Sequence, residues 1–124
     1  MIIGTAAQAA DLFAPLFTRD ARERVAVIHV DSDCRLLALT LEASGSHDET
    51  ELPIGAIISK ALRIGSSAIV VAHNHPSGNP EPSAEDEAAT RALATAAAGV
   101  SIRLHDHIVF GGGDCRSFRK LGLL

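Results

Sequence analysis

Apolar residues fall into short runs of different period along the chain, separated by polar, glycine- or proline-bearing stretches. Ala6, Ala9, Ala10, Phe13 and Phe17 recur at helical spacing, which predicts a first helix beginning after Thr5. Pro15 should end or kink it. Val25-Ala26-Val27-Ile28-His29-Val30 reads as a buried strand rich in β-branched residues. Asp31-Ser32-Asp33 makes a turn, and the chain returns as a second strand from Arg35 to Leu41, completing a hairpin.

Residues 42–51 are polar and read as a loop. Pro53 fits the first turn of a helix reaching about Arg63, with Ile54, Ile57, Ile58, Ala61 and Leu62 inward and Gly65 as its C-terminal cap. Ala68-Ile69-Val70-Val71-Ala72 is a short apolar strand that delivers the chain to His73. Residues 74–82 hold three prolines and a glycine and form a rigid loop. Ser83 opens an alanine-rich helix ending near Gly99. Residues 100–104 and 107–110 are strand-like, and Gly111-Gly112-Gly113-Asp114 is a turn. Helix, two strands, helix, strand, helix and strands make a mixed sheet with helices packed on it.

Length changes this picture little: 124 residues read as one domain, 1–124, able to bury a core without disulfides. Four phenylalanines are the only aromatic side chains, so the core must be built from Ala, Val, Ile and Leu. A formal net charge of -4 argues against a phosphate-backbone binder, so no direct nucleic-acid partner is expected. Cys34 and Cys115 are far apart and form no CxxC pair. The apolar start of the chain lacks a basic region and is broken by Gln8 and Asp11. It reads as neither signal peptide nor membrane span, and a cytoplasmic location is expected.

The candidate chemistry lies where the third strand runs out. Side chains two apart on extended backbone point the same way, so His73 and His75 can face one point. Asp86 falls in the first turn of the next helix, which the rigid loop turns back toward the strand end. Two neutral imidazoles and a carboxylate would bind zinc and leave one tetrahedral position open, the mark of a catalytic rather than structural site. The spacing equally suits a capping box, in which Ser83 caps the helix and Asp86 reaches back. His105 and His107 share the two-residue spacing but have no helix-borne carboxylate, and read as strand residues satisfied locally. His29 and His47 read as structural or solvated, and Glu23 as a solvated charge before a strand.

The run His73-Asn74-His75-Pro76-Ser77-Gly78-Asn79-Pro80-Glu81-Pro82-Ser83-Ala84-Glu85-Asp86 resembles the HxHP, spacer, SxxD signature of the JAB/JAMM metalloproteases (MPN domains). It resembles their bacterial RadC-like branch more closely. The likeness extends to Glu23 through Asp31, the Pro53 helix, Asp106-His107-Ile108 with its following glycines, Ser117-Phe118 and Gly122-Leu123-Leu124.

The resemblance implies a three-layer α/β domain with a mixed sheet, similar to the cytidine-deaminase fold. It implies one zinc ion per chain, held by His73, His75 and Asp86. Glu23 would be the carboxylate that takes a proton from the zinc-bound water as general base and returns it as acid. Ser83 would stabilise the oxyanion. The implied activity is that of a metallopeptidase or isopeptidase acting on a peptide, protein or ubiquitin-like substrate.

The chain departs from the family pattern in places. It has no room for the additional N-terminal helical segment of RadC-like proteins and no long insertions like those of deubiquitinases. Ile54-Gly55 replaces the usual Arg-Glu after Pro53, an aromatic position near the C-terminus is unmatched, and Arg119-Lys120 stand where acidic residues are usual. Two other readings remain open at this point. Nucleobase deamination needs H-x-E and P-C-x-x-C, which this chain lacks. An accessory, non-catalytic role in DNA repair or processing is the second.

Overall fold

The computed structural model describes residues 1–17, 22–42 and 52–124. Helix α1 (Ala6–Phe13) starts at Thr5, whose hydroxyl accepts from the Gln8 amide while Gln8 reaches back to the Thr5 amide. Pro15 has no amide hydrogen to continue the ladder, and the chain leaves through a 3₁₀ turn, Ala14–Phe17. Strand β1 (Val25–Val30) is buried along its whole length and pairs antiparallel with β2 (Leu36–Glu42). Their turn is tied by Asp31 Oδ1, which accepts from the Asp33 and Arg35 amides.

Helix α2 (Ile54–Ile64) has Pro53 at its N-cap rather than in its first turn, and it ends on Gly65 at φ 81°. Only Ile57 and Ala61 are fully buried; Leu62, expected inward, faces solvent because the helix lays just one narrow stripe on the sheet. Strand β3 (Ala68–Asn74) runs two residues further than expected, so His73 lies within it. Helix α3 (Ala84–Gly99) crosses to β4 (Arg103–Gly111), parallel to β3.

The two strand-like stretches near the C-terminus are one strand. Pairing shifts between Ile69 and Val70, opposite Leu104 and Asp106, which leaves His105 as the extra residue of a bulge. Gly112 and Gly113, at φ 61° and 81°, turn the chain into β5 (Asp114–Ser117). The polar sequence of β5 gave no strand signal. The sheet order is β2-β1-β3-β4-β5, antiparallel except between β3 and β4.

Alternation puts opposite sets of residues on the two faces. Ala26, Ile28, Val30, Val70, Ala72 and Ile108 pack against Ala9 and Phe13 of α1. Val25, Val27, Ile69 and Val71 pack against Ile57 and Ala61 of α2 and Leu93 and Ala97 of α3. The result is the expected α/β architecture in three layers. His47 lies outside the described residues.

Candidate metal centre

Three elements meet at the C-terminal end of β3. The strand carries His73, the residue after its end is His75, and the first turn of α3 supplies Asp86. One ligand atom from each lies within 4.8 Å of the others. His73 Nε2 is 3.1 Å from His75 Nε2 and 3.3 Å from Asp86 Oδ1, and His75 Nε2 is 2.9 Å from Asp86 Oδ2. His73 and Asp86 are buried, while His75 borders a cleft of about 240 Å³ that also meets Ser77, Asn79, Ser83 and Glu85.

Hydrogen bonds fix what these atoms offer. Thr90 Oγ1 lies 2.6 Å from the Asp86 carbonyl oxygen, which can only accept, so the hydroxyl donates its single proton there. His107 Nδ1, 2.6 Å from the same hydroxyl, must then donate to it. Burial holds His107 well below its ordinary pKa, with His73 lowering it further against the pull of Asp86, so the ring is neutral and its Nε2 accepts. The proton 2.7 Å away therefore sits on His73 Nδ1, and Nε2 is the His73 nitrogen that faces the centre. His75 reaches the same state by a shorter route, because its Nδ1 donates to the Asn79 carbonyl at 2.8 Å.

Two imidazole Nε2 atoms thus face each other and a carboxylate. Burial would raise the Asp86 pKa, but His73, the Ser83 amide and His75 outweigh it and hold the carboxyl well below the usual range. Two imidazole nitrogens and a carboxylate this close are held together by a cation among them, a proton or a metal ion. The donor chemistry, N, N and O on a rigid frame with the outer imidazole nitrogens occupied, fits zinc.

The capping alternative is realised as well. Ser83 Oγ accepts from the Asp86 amide at 3.0 Å, and the Ser83 amide donates to Asp86 Oδ2 at 2.8 Å. The cap orients the carboxylate toward the histidines, and the two readings of Asp86 describe one geometry. The Ser83 hydroxyl proton has no other partner among the described residues and borders the cleft.

Glu23 is half-buried, two residues before Val25, the strand partner of His73. Asn74, between the two histidines, holds that segment: its Oδ1 accepts from the Arg24 amide at 2.7 Å and its Nδ2 donates to the Arg22 carbonyl at 2.9 Å. One amide side chain thereby ties the backbone on both sides of Glu23 to the ligand-bearing strand.

His107, expected to be satisfied locally, is instead the bonding partner of His73 and also stacks on Phe118 at 4.8 Å between ring centroids. The bulge at His105 turns it to the α3 side of the sheet. Its two-residue spacing from His105 marked it without giving this role; the signal of Thr90 was unspecific, four residues after Asp86 and so one helical turn along. His105 does not reach the centre; it borders a different cleft.

Comparison with known proteins gives the family. The family profile of the RadC-like JAB domain matches residues 3–123. A UPF0758 protein of Cyanothece sp. is 40% identical over 115 residues, covering 93% of this chain and 47% of that protein. One from Methylibium petroleiphilum is 40% identical over 102 residues, covering 82% and 46%, and one from Chloroflexus aurantiacus 37% over 102 residues, covering 82% and 44%. The chain spans about half the length of these curated relatives. With the profile running through nearly every described element, the chain belongs to the RadC-like JAB domain family.

Proposed function

We propose that the domain is a zinc-dependent hydrolase of amide or isopeptide bonds. The observation that carries this reading is the convergence of two imidazole nitrogens and a carboxylate oxygen beside an open cleft. His73, His75 and Asp86 would hold the ion. When bound, zinc supplies Lewis acidity and lowers the pKa of a coordinated water to about 7. The Glu23 carboxylate takes the proton of the attacking water and passes it to the leaving amine, and Asn74 keeps the Glu23 segment in register with the ligands. The Ser83 hydroxyl, still free to donate, stabilises the oxyanion that develops at the scissile carbonyl.

The substrate is a peptide, a protein or a ubiquitin-like conjugate, and the activity of the longer relatives' whole chain is part of the same proposal. Among the described residues no helix is long and apolar enough to cross a membrane. The test is a panel of quenched peptide and isopeptide substrates incubated with the zinc-loaded domain. Cleavage by the parent should fall by about 10²-fold or more in Glu23→Gln with zinc content unchanged, the usual contribution of a general base. Equal cleavage by parent and variant contradicts the mechanism.

A further inference from the structure

A second cleft, about 810 Å³, lies at the other end of the sheet from the candidate metal centre. The beginning of β4, the last turns of α3 and the segment around Thr5 enclose it. Its apolar wall includes Val70, Ala94, Ala98 and Leu104. Its polar rim gathers Arg103, His105 and Arg119. The volume is that of a site for a small organic molecule.

Two arginines of this rim face a single carboxylate, so its charge is only partly balanced from within. Asp106 is the one acidic residue lining the cleft, and its carboxylate is already occupied. Oδ2 accepts from the Ser117 hydroxyl, and Oδ1 accepts from the His107 and Arg119 amides at 2.8 and 3.0 Å. Among the described residues no ion pair joins Arg103 or Arg119 to a carboxylate. Arg119 Nε donates to the His105 carbonyl at 2.7 Å, which fixes the guanidinium over the bulge and leaves its terminal nitrogens available. Burial, then Arg119 and Arg103, push the His105 ring below its ordinary pKa, so it meets the cleft as a neutral donor within a positive field.

Two guanidinium groups beside one ring, in a chain of net charge -4, are repulsive unless an anion joins them.

We infer that this cleft binds a small organic phosphate monoester. Its dianionic head lies between Arg103 and Arg119, and its apolar body lies against Val70, Ala94, Ala98 and Leu104. Two positive charges match the two charges of a monoester better than the single charge of a carboxylate or phosphodiester, and guanidinium forks suit phosphate oxygens. The inference is independent of the zinc reading.

The experiment titrates the isotope-labelled chain with phenyl phosphate, inorganic phosphate, benzyl alcohol and a thymidine oligonucleotide, following backbone amides by NMR. Phenyl phosphate should shift Thr5, Leu104 and His105 and bind about tenfold or more tighter than inorganic phosphate, since only it fills the apolar wall. Arg103→Gln and Arg119→Gln should each weaken it by about tenfold or more, the scale of a charge-assisted bond. Arg103→Gln removes no hydrogen bond of the fold, so its effect reads binding alone. Benzyl alcohol binding as tightly as phenyl phosphate would overturn the proposal, as would an oligonucleotide binding tighter than the monoester. Absence of localised shifts at millimolar phenyl phosphate would overturn it too.

Discussion

His73 Nδ1 and His107 Nε2 lie 2.7 Å apart, and that contact decides which nitrogen of His73 faces the metal centre. Replacing His107 with Phe keeps the stack on Phe118 but frees the His73 ring to turn or change tautomer. Zinc affinity should fall about 10–100-fold, the usual cost of losing an outer partner of a ligating histidine. Thr90→Val should act in the same direction, because it removes the hydroxyl that sets the His107 tautomer. Competitive titration with a chelating dye measures both; unchanged affinity in both variants means the chain of bonds does not set the donor.

Asn74 makes a different kind of contribution. Asn74→Ala loses two hydrogen bonds to the Glu23 segment and should destabilise the fold by about 1–3 kcal/mol, while the zinc ligands remain in place. Asn74→Asp can still accept from the Arg24 amide but cannot donate to the Arg22 carbonyl, so it retains only one bond of the pair. Urea denaturation with parallel zinc analysis separates stability from binding. Loss of zinc at unchanged stability would show that Asn74 acts on the ligands instead.

Close backbone packing behind His75 gives a third expectation. A Cβ at Gly111 would lie 2.9 Å from the Asn79 carbonyl carbon and the Pro80 nitrogen, so Gly111→Ala must push the loop that supplies the His75 acceptor. It should cost about 1–3 kcal/mol and weaken zinc binding. Gly55→Ala in α2 meets nothing within 4 Å and should stabilise the fold by about 0.4–1 kcal/mol. Thermal denaturation of the two variants should move in opposite directions; matching shifts would rule out crowding as the cause.

Buried His29, which lies between Ser66 Oγ at 2.9 Å and Thr40 Oγ1 at 3.1 Å, contributes to the pH dependence of stability beside His107. Burial lowers its pKa, Glu42 opposes and Lys60 adds to the fall, and burial prevails. The unfolded chain takes up a proton near pH 6.5 and the folded one does not. The full contribution is therefore present above that pH. It declines below it by up to about 1.4 kcal/mol per pH unit until the folded pKa is reached. His29→Gln should flatten this part of the slope between pH 6.5 and 5 in urea denaturation; an unchanged slope would assign the acid sensitivity elsewhere.

Much of this was legible because it depends on local pattern. The continuous apolar run of β1, the prolines between His75 and Ser83, and the Ser83–Asp86 cap each announce themselves within a few residues. His107 did not, because its role arises from parallel pairing of β3 with β4 and a one-residue bulge at His105, neither of which leaves a local mark. The same holds for Asn74, whose partners lie 50 and 52 residues away, and for β5, whose polar residues are held by Gly112-Gly113 and the β4 ladder rather than by their own propensity. Leu62 shows the opposite failure: a helical period fixes direction, but the width of the buried stripe depends on what the helix meets.

The central claim is that His73, His75 and Asp86 hold one metal ion while Glu23 does not. It is tested most directly by measuring zinc per chain, by elemental analysis after dialysis, in the parent, His75→Ala, Asp86→Asn and Glu23→Gln. One zinc is expected in the parent and in Glu23→Gln, and its loss in the other two. Zinc retained by Asp86→Asn and His75→Ala, or absent from the parent after reconstitution, contradicts it.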